Sequence, residues 1–275
     1  MKKNSQLYII LAAVGLMLSS CYKKFDPATY APPLNIGGYT SSGEIASGNL
    51  IAYWAFNGSL IDSVSKTASE SKGTTFSAGI KGQALQGADK AYALFTPGST
   101  LQSLQSFTVT MWVNSPQNTN GIVGLVGFNN ANSFWGNLDI FFENGSNADT
   151  AILKAHVFSN GKDAWLGNYK VTNVWGKNTN IALSYNGADT FKIYVNGSSL
   201  ETKVIKDYGK LAWKDFNKVV FGTVQFQTTP SLTSAADAQS WASFLKGTLD
   251  EVRVYNRALT DKELGALITL EGRNK

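Results

Sequence analysis

From Asn49 onward apolar and polar residues alternate with a period of two, and no other feature limits the possible folds as strongly. That period puts alternate side chains on opposite faces, which suits a strand and not a helix. In residues 107–113, Phe107, Val109, Met111 and Val113 share one face, and Thr108, Thr110 and Trp112 share the other. Strand-like runs also cover 50–56, 138–142, 152–158, 181–185, 191–195, 218–221 and 248–255. Between them stand Asn57-Gly58, Asn144-Gly145, Asn160-Gly161, Asn186-Gly187 and Asn196-Gly197. Asn-Gly accepts the positive φ angles of tight hairpins, so these dipeptides read as turns. Many short strands without βαβ alternation predict an all-β antiparallel sandwich or jelly roll. One helix is expected at the C-terminal end, on the edge of the sandwich. Thr260-Asp261-Lys262-Glu263 is a capping box, Leu259 and Leu264 stand in staple positions, and Leu264, Leu267 and Ile268 form an apolar stripe.

The N-terminal segment is of another kind. Lys2 and Lys3 precede an apolar run over residues 7–18. At about 1.5 Å per residue the run reaches about 18 Å, short of a ~30 Å hydrocarbon core, and reads as the apolar part of a signal peptide. Leu18-Ser19-Ser20-Cys21 resembles the bacterial lipobox, which implies cleavage before Cys21 and lipidation of its thiol. Cys21 is the single cysteine among 275 residues, which excludes an internal disulfide framework or a multi-cysteine zinc site. The expected organisation is a signal peptide over 1–20, a lipidated cysteine and flexible tether over 21–48, and one domain over 49–275. Pro27, Pro32, Pro33, Gly37, Gly38, Gly43 and Gly48 mark the tether, with Tyr30, Tyr39 and Ile45 able to pin parts of it to the domain. The formal charge of +5 falls to +3 once Lys2 and Lys3 leave with the leader. No block of like charge exists, so nucleic acid is not an expected partner. The expected location is the cell envelope, lipid-anchored at the outer membrane, with the face left open.

Six segments resemble laminin-G-like, concanavalin A-like domains, in family order. They are Leu50-Ile51-Ala52-Tyr53-Trp54-Ala55-Phe56-Asn57-Gly58-Ser59-Leu60-Ile61-Asp62-Ser63, Gly79-Ile80-Lys81-Gly82-Gln83-Ala84-Leu85 and Phe107-Thr108-Val109-Thr110-Met111-Trp112-Val113. Next come Trp175 with Ile181-Ala182-Leu183-Ser184-Tyr185-Asn186-Gly187, and Phe191-Lys192-Ile193-Tyr194-Val195-Asn196-Gly197. Last is Gly247-Thr248-Leu249-Asp250-Glu251-Val252-Arg253-Val254-Tyr255-Asn256-Arg257-Ala258-Leu259-Thr260. The histidines usual after the Trp175 position are absent. The resemblance covers about residues 49–270 and implies a concanavalin A-like jelly roll. With the lipobox, the chain is similar to laminin-G-domain lipoproteins of the Bacteroidetes type.

The same family includes β-glucanases, which carry Glu-x-Asp-x-(x)-Glu on one strand. That motif is absent here. Asp139 and Glu143 lie four residues apart, about 13 Å along a strand, too far for a glycosidase pair. Asp250 and Glu251 are adjacent and project to opposite faces. His156 is the single histidine, and no Gly-x-Ser-x-Gly elbow, P-loop or Rossmann fingerprint occurs. No enzyme activity is therefore expected. Related sandwiches hold one structural calcium where the first and last strands meet, and Asn57, Asp62 and Asp250 occupy the matching positions. The alternative is that Asn57 serves a turn and Asp250 bonds backbone amides.

Trp54, Trp112 and Trp175 fall in family strands and read as core. Trp135, Trp165, Trp213 and Trp241 fall outside the family pattern. An extended run over 134–139 would put Trp135, Asn137 and Asp139 on one face, and 160–168 reads as a loop carrying Trp165. These residues, with His156, are the candidate ligand contacts; the alternatives are Trp side chains that pack loops and a histidine satisfied within its strand. Aromatic faces stack on sugar C–H faces while amides and carboxylates bond hydroxyls. The expected function is a membrane-anchored, non-catalytic module that binds glycan or acts in adhesion. Two other readings stay open: a protein-interaction accessory of an outer-membrane complex, and a polysaccharide-degrading enzyme of the same fold.

Overall fold

In the computed structural model the described residues are 34–275, with the side chains of 144–147 left aside. Cys21 and the leader lie outside the described residues. In chain order the strands are β1 (Leu50–Trp54), β2 (Glu70–Lys72), β3 (Thr75–Ala78), β4 (Gln83–Gln86), β5 (Tyr92–Phe95), β6 (Phe107–Asn114), β7 (Ile122–Phe128) and β8 (Leu138–Asn147). They continue as β9 (Thr150–Ser159), β10 (Lys162–Thr172), β11 (Thr179–Tyr185), β12 (Thr190–Val195), β13 (Ser198–Val204), β14 (Val219–Phe221), β15 (Ala242–Ser243) and β16 (Thr248–Tyr255). The helices are α1 (Ser99–Gln102) and α2 (Asp261–Glu271).

The strands form two eight-stranded sheets. The first runs β13-β12-β11-β6-β16-β4-β3, and β1 pairs with β16 beside β4. The second runs β10-β9-β8-β7-β14-β5-β2, with β15 added to β7. Every pairing is antiparallel except the short β15–β7 contact. Neighbours distant in sequence, such as β6–β16 and β7–β14, make this a jelly-roll sandwich.

The inward faces bury the apolar half of each alternating strand. Phe107, Val109, Met111 and Val113 meet Phe128, Leu138, Ile140, Leu153, Ala155 and Val157 in one core. Trp54 is fully buried, with Phe95 and Phe221 both 4.9 Å away edge-on. Asn160-Gly161 and Asn196-Gly197 close the β9–β10 and β12–β13 hairpins, with φ of 53° and 72°, and 50° and 80°.

Several expectations need correction. Asn144-Gly145 lies inside β8, and the turn falls at 148–149. Asn57-Gly58 is no hairpin turn, because β1 pairs with β16 and not with the strand that follows. Strand β7 escapes the alternation pattern because both its faces are buried and glycines interrupt it. A Cβ at Gly124 would lie 2.3 Å from the Thr223 carbonyl carbon, so this position has no room for a side chain. The residues read as a loop around Trp165 form strand β10.

Helix α2 has the expected capping box: Glu263 N–H donates to Thr260 Oγ1 and Thr260 N–H donates to Glu263 Oε2. It covers the outer face of the first sheet, not its edge. Arg253 on β16 is buried there between Glu251 and Glu271, at 2.7 and 2.8 Å. Trp112 Nε1 donates to Glu271, and the Arg253 guanidinium lies 4.0 Å over the Tyr53 ring. Burial pushes the Glu271 carboxyl above the ordinary range, against the pull of Arg253. The tether boundary also moves. Residues 36–275 form one compact unit. Ile45 is fully buried, and Ser42 Oγ donates to the Lys275 carbonyl and accepts from Arg253. Residues 36–48 therefore belong to the domain.

Candidate functional site

The outer face of the second sheet gathers Trp135, Trp165 and Trp241. Strand alternation starts the arrangement. Ala155 and Val157 point into the core, so His156 between them points outward, and Asp139, Phe141 and Trp165 share that face through pairing across β8, β9 and β10. The segment 129–137 then folds back over the face. Gln225 holds it, accepting from Asn130 N–H and donating to the carbonyls of Ser133 and Phe134. This hold seats Trp135 on Phe141, with ring centroids 5.5 Å apart and planes 11° apart.

Around Trp135 stand Trp165 at 5.1 Å and 87°, Phe226 at 5.5 Å, and Trp241 at 6.3 Å and 44°. Phe134 lies against Trp241 at 6.1 Å. Beneath them Ile122, Phe141, Val224, Phe226 and Ala242 form a small second core. Trp165 and Trp241 keep 40% and 41% of their surface exposed, while Trp135 is half-buried between them. The result is an aromatic platform with two accessible indoles and a recessed one.

His156 supports this platform from below. Its Nε2 lies 2.7 Å from Asp163 Oδ1 and its Nδ1 3.4 Å from Asp139 Oδ2. The Trp165 ring lies 4.5 Å above the imidazole. Burial pushes the imidazole pKa down, but the hydrogen bonds and charges of Asp139 and Asp163 outweigh it and raise it above the ordinary value. The indole lies at 34° to the imidazole plane, so a protonated ring would meet its face in a cation–π arrangement.

The structure separates the predicted ligand residues into two groups. Trp135 and Trp165 lie together on the accessible face. Asn137, Asp139 and His156 are buried. Asn137 turns away from Trp135, because 134–137 is not extended; its side-chain amide donates to the carbonyls of Asn129 and Lys214 and accepts from Lys214 N–H. Asp139 accepts from Gly136 N–H and steadies His156. Trp213 packs in the main core against Phe107 and Phe128. Trp241 joins the platform although the motifs did not select it. Its sequence signal is faint: one bulky apolar residue in a stretch of Ser, Thr, Ala and Gln.

The residues matched to calcium are engaged otherwise. Asp62 accepts from the N–H groups of Tyr53, Val64 and Ser65. Asp250 accepts from Ile80, Lys81 and Glu251 N–H, and burial raises its carboxyl to about 6. Asn57 accepts from Gln83 N–H on the same β3–β4 turn. A calcium ion takes six to eight oxygen ligands, and these donors do not fit it. Their backbone role is the alternative the sequence left open. The two carboxylates weighed from the sequence as a glycosidase pair, Asp139 and Glu143, have separate partners. Asp139 is buried on His156, and Glu143 is paired with Lys154 at 2.8 Å. Glu251 bonds Tyr53 and Arg253, away from the partners of Asp250.

Two antiparallel sheets closed over one core, with an aromatic platform on one outer face, define a lectin-like jelly-roll sandwich. The chain belongs to the concanavalin A-like lectin/glucanases superfamily: a laminin G family model of that description matches residues 86–265. No curated protein matches by sequence. Solved structures that resemble it include the binding domain of Paraclostridial Mosquitocidal Protein 1, 14% identical with a TM-score of 0.58 over 80% of this chain and 52% of that one. Domain 4 of AbnA, a GH43 extracellular arabinanase from Geobacillus stearothermophilus, in complex with arabinotriose, is 18% identical with a TM-score of 0.54 over 80% and 98%. The botulinum neurotoxin serotype D ligand binding domain in complex with N-acetylneuraminic acid is 13% identical with a TM-score of 0.58 over 83% and 52%. The chain spans about half the length of the two toxin domains. At these identities the likeness is one of fold.

Proposed function

We propose that this protein is a non-catalytic glycan-binding module, carried on the cell envelope by a lipidated Cys21. The observation that carries the binding reading is the convergence of Trp135, Trp165 and Trp241 on one sheet face, with two indoles accessible. Two neighbours of the same fold were solved with sugars bound, which supports a sugar as the ligand class. The test is a glycan array probed with wild type and a Trp165→Ala/Trp241→Ala variant. Binding by wild type that the variant loses, with an unchanged melting temperature, is the expected result. Silence across the array would discard the reading in favour of a protein partner.

The anchoring part rests on the sequence of residues 1–21. Radiolabelled palmitate should enter the wild-type protein in a lipoprotein-processing host, and the Cys21→Ala variant should stay unlabelled. Equal labelling of both would discard the anchor.

A further inference from the structure

We infer that the platform takes a single chain of a neutral glycan and discriminates against anionic glycans and flat crystalline polysaccharide; this rests on the glycan-binding reading above. Shape is the first argument. Trp135 stands 87° from Trp165 and 44° from Trp241, so the three indoles share no plane. A crystalline surface presents one plane and meets one ring face at a time. A lone chain rotates about its glycosidic bonds and offers each sugar face at its own angle. The recessed centre between two exposed ends also favours a flexible chain over a rigid slab.

Charge is the second argument. The Asp163 side chain is 58% exposed beside Trp165 while its Oδ1 holds His156, so a carboxylate paired through one oxygen meets the ligand at this end. Neutral sugars donate hydroxyl hydrogens to such a group, whereas a uronate or sialate meets like charge. Three lysines near the patch are directed to partners within the protein. Lys154 pairs with Glu143, Lys203 Nζ donates to the Trp165 carbonyl, and Lys162 Nζ donates to the Asp207 carbonyl. His156 is held between Asp139 and Asp163 and covered by Trp165.

The experiment uses the full chain in three arms. Affinity gels containing arabinan, xyloglucan or galactomannan measure neutral soluble chains. A gel containing polygalacturonate measures an anionic chain, and sedimentation with microcrystalline cellulose or chitin measures flat surfaces. The expected result is retardation by a neutral chain, at least about fivefold weaker retention by polygalacturonate at low salt, and no protein in the pellets. Trp165→Ala and Trp241→Ala should each weaken neutral retention by about fivefold or more, and Asp163→Asn should narrow the gap to polygalacturonate. Circular dichroism melts confirm that each variant folds. Stronger binding to polygalacturonate, or protein in the pellets, overturns this inference and leaves the glycan reading standing. No retention by any glycan overturns both.

Discussion

His156 shows how much one buried titratable group can decide. It is the single histidine of the chain, and two carboxylates and an indole enclose it. Its folded pKa lies above the ordinary 6.5. A raised base binds its proton more tightly in the native state, so its stabilising contribution is complete below about pH 6.5 and is lost as pH rises through the higher folded value. Melting curves from about pH 5 to about pH 9 should show wild type losing stability on the alkaline side. His156→Phe, which keeps a ring under Trp165 but cannot titrate, should lose that component. Asp250 gives a second prediction. Asp250→Ala leaves the N–H groups of Ile80 and Lys81 without their acceptor and should cost about 2 kcal/mol in urea unfolding. Adding calcium or chelator should leave the wild-type melting temperature unchanged, since amides occupy those carboxylates.

At the scale of elements, α2 is the informative one. Its start was legible from Thr260 and Glu263, because a capping box is a local contract between residues three apart. Its docking site was not, because that depends on Glu271 meeting Arg253 of β16 and Trp112 of β6, the latter 159 residues away. Arg253→Ala strands two buried carboxylates and should destabilise the fold by about 3–5 kcal/mol. Thr260→Ala should cost about 1 kcal/mol, loss of one cap. Urea titrations of both variants separate these magnitudes. The burial of Thr108 and Thr110 has the same origin. Alternation assigns them to a polar face, and the segment after β16 covers that face, with Thr108 bonded to Arg257 and Leu259.

For the molecule as a whole, the domain begins earlier than composition suggests. Gly and Ser in 36–48 read as tether, yet Ser42 and Ile45 are buried against the C-terminal end. A chain starting at residue 49 loses the Ile45 side chain, worth about 1.5–3 kcal/mol, and should melt several degrees lower than wild type.

Local pattern determined the strand-rich class, the main core residues, three Asn-Gly hairpins and the helix cap, because each depends on neighbours within a few positions. The family segments extended this to the jelly roll. Only tertiary structure decided which polar residues are free. Asn137, Asp139 and His156 read by type as candidate ligand contacts, but Asn137 is tied inside loop 129–137, Gly136 of that loop bonds Asp139, and Trp165 covers His156. Tertiary structure alone also brought Trp241 to Trp135 across more than a hundred residues. A platform is a property of surfaces meeting in space, and no local period encodes it.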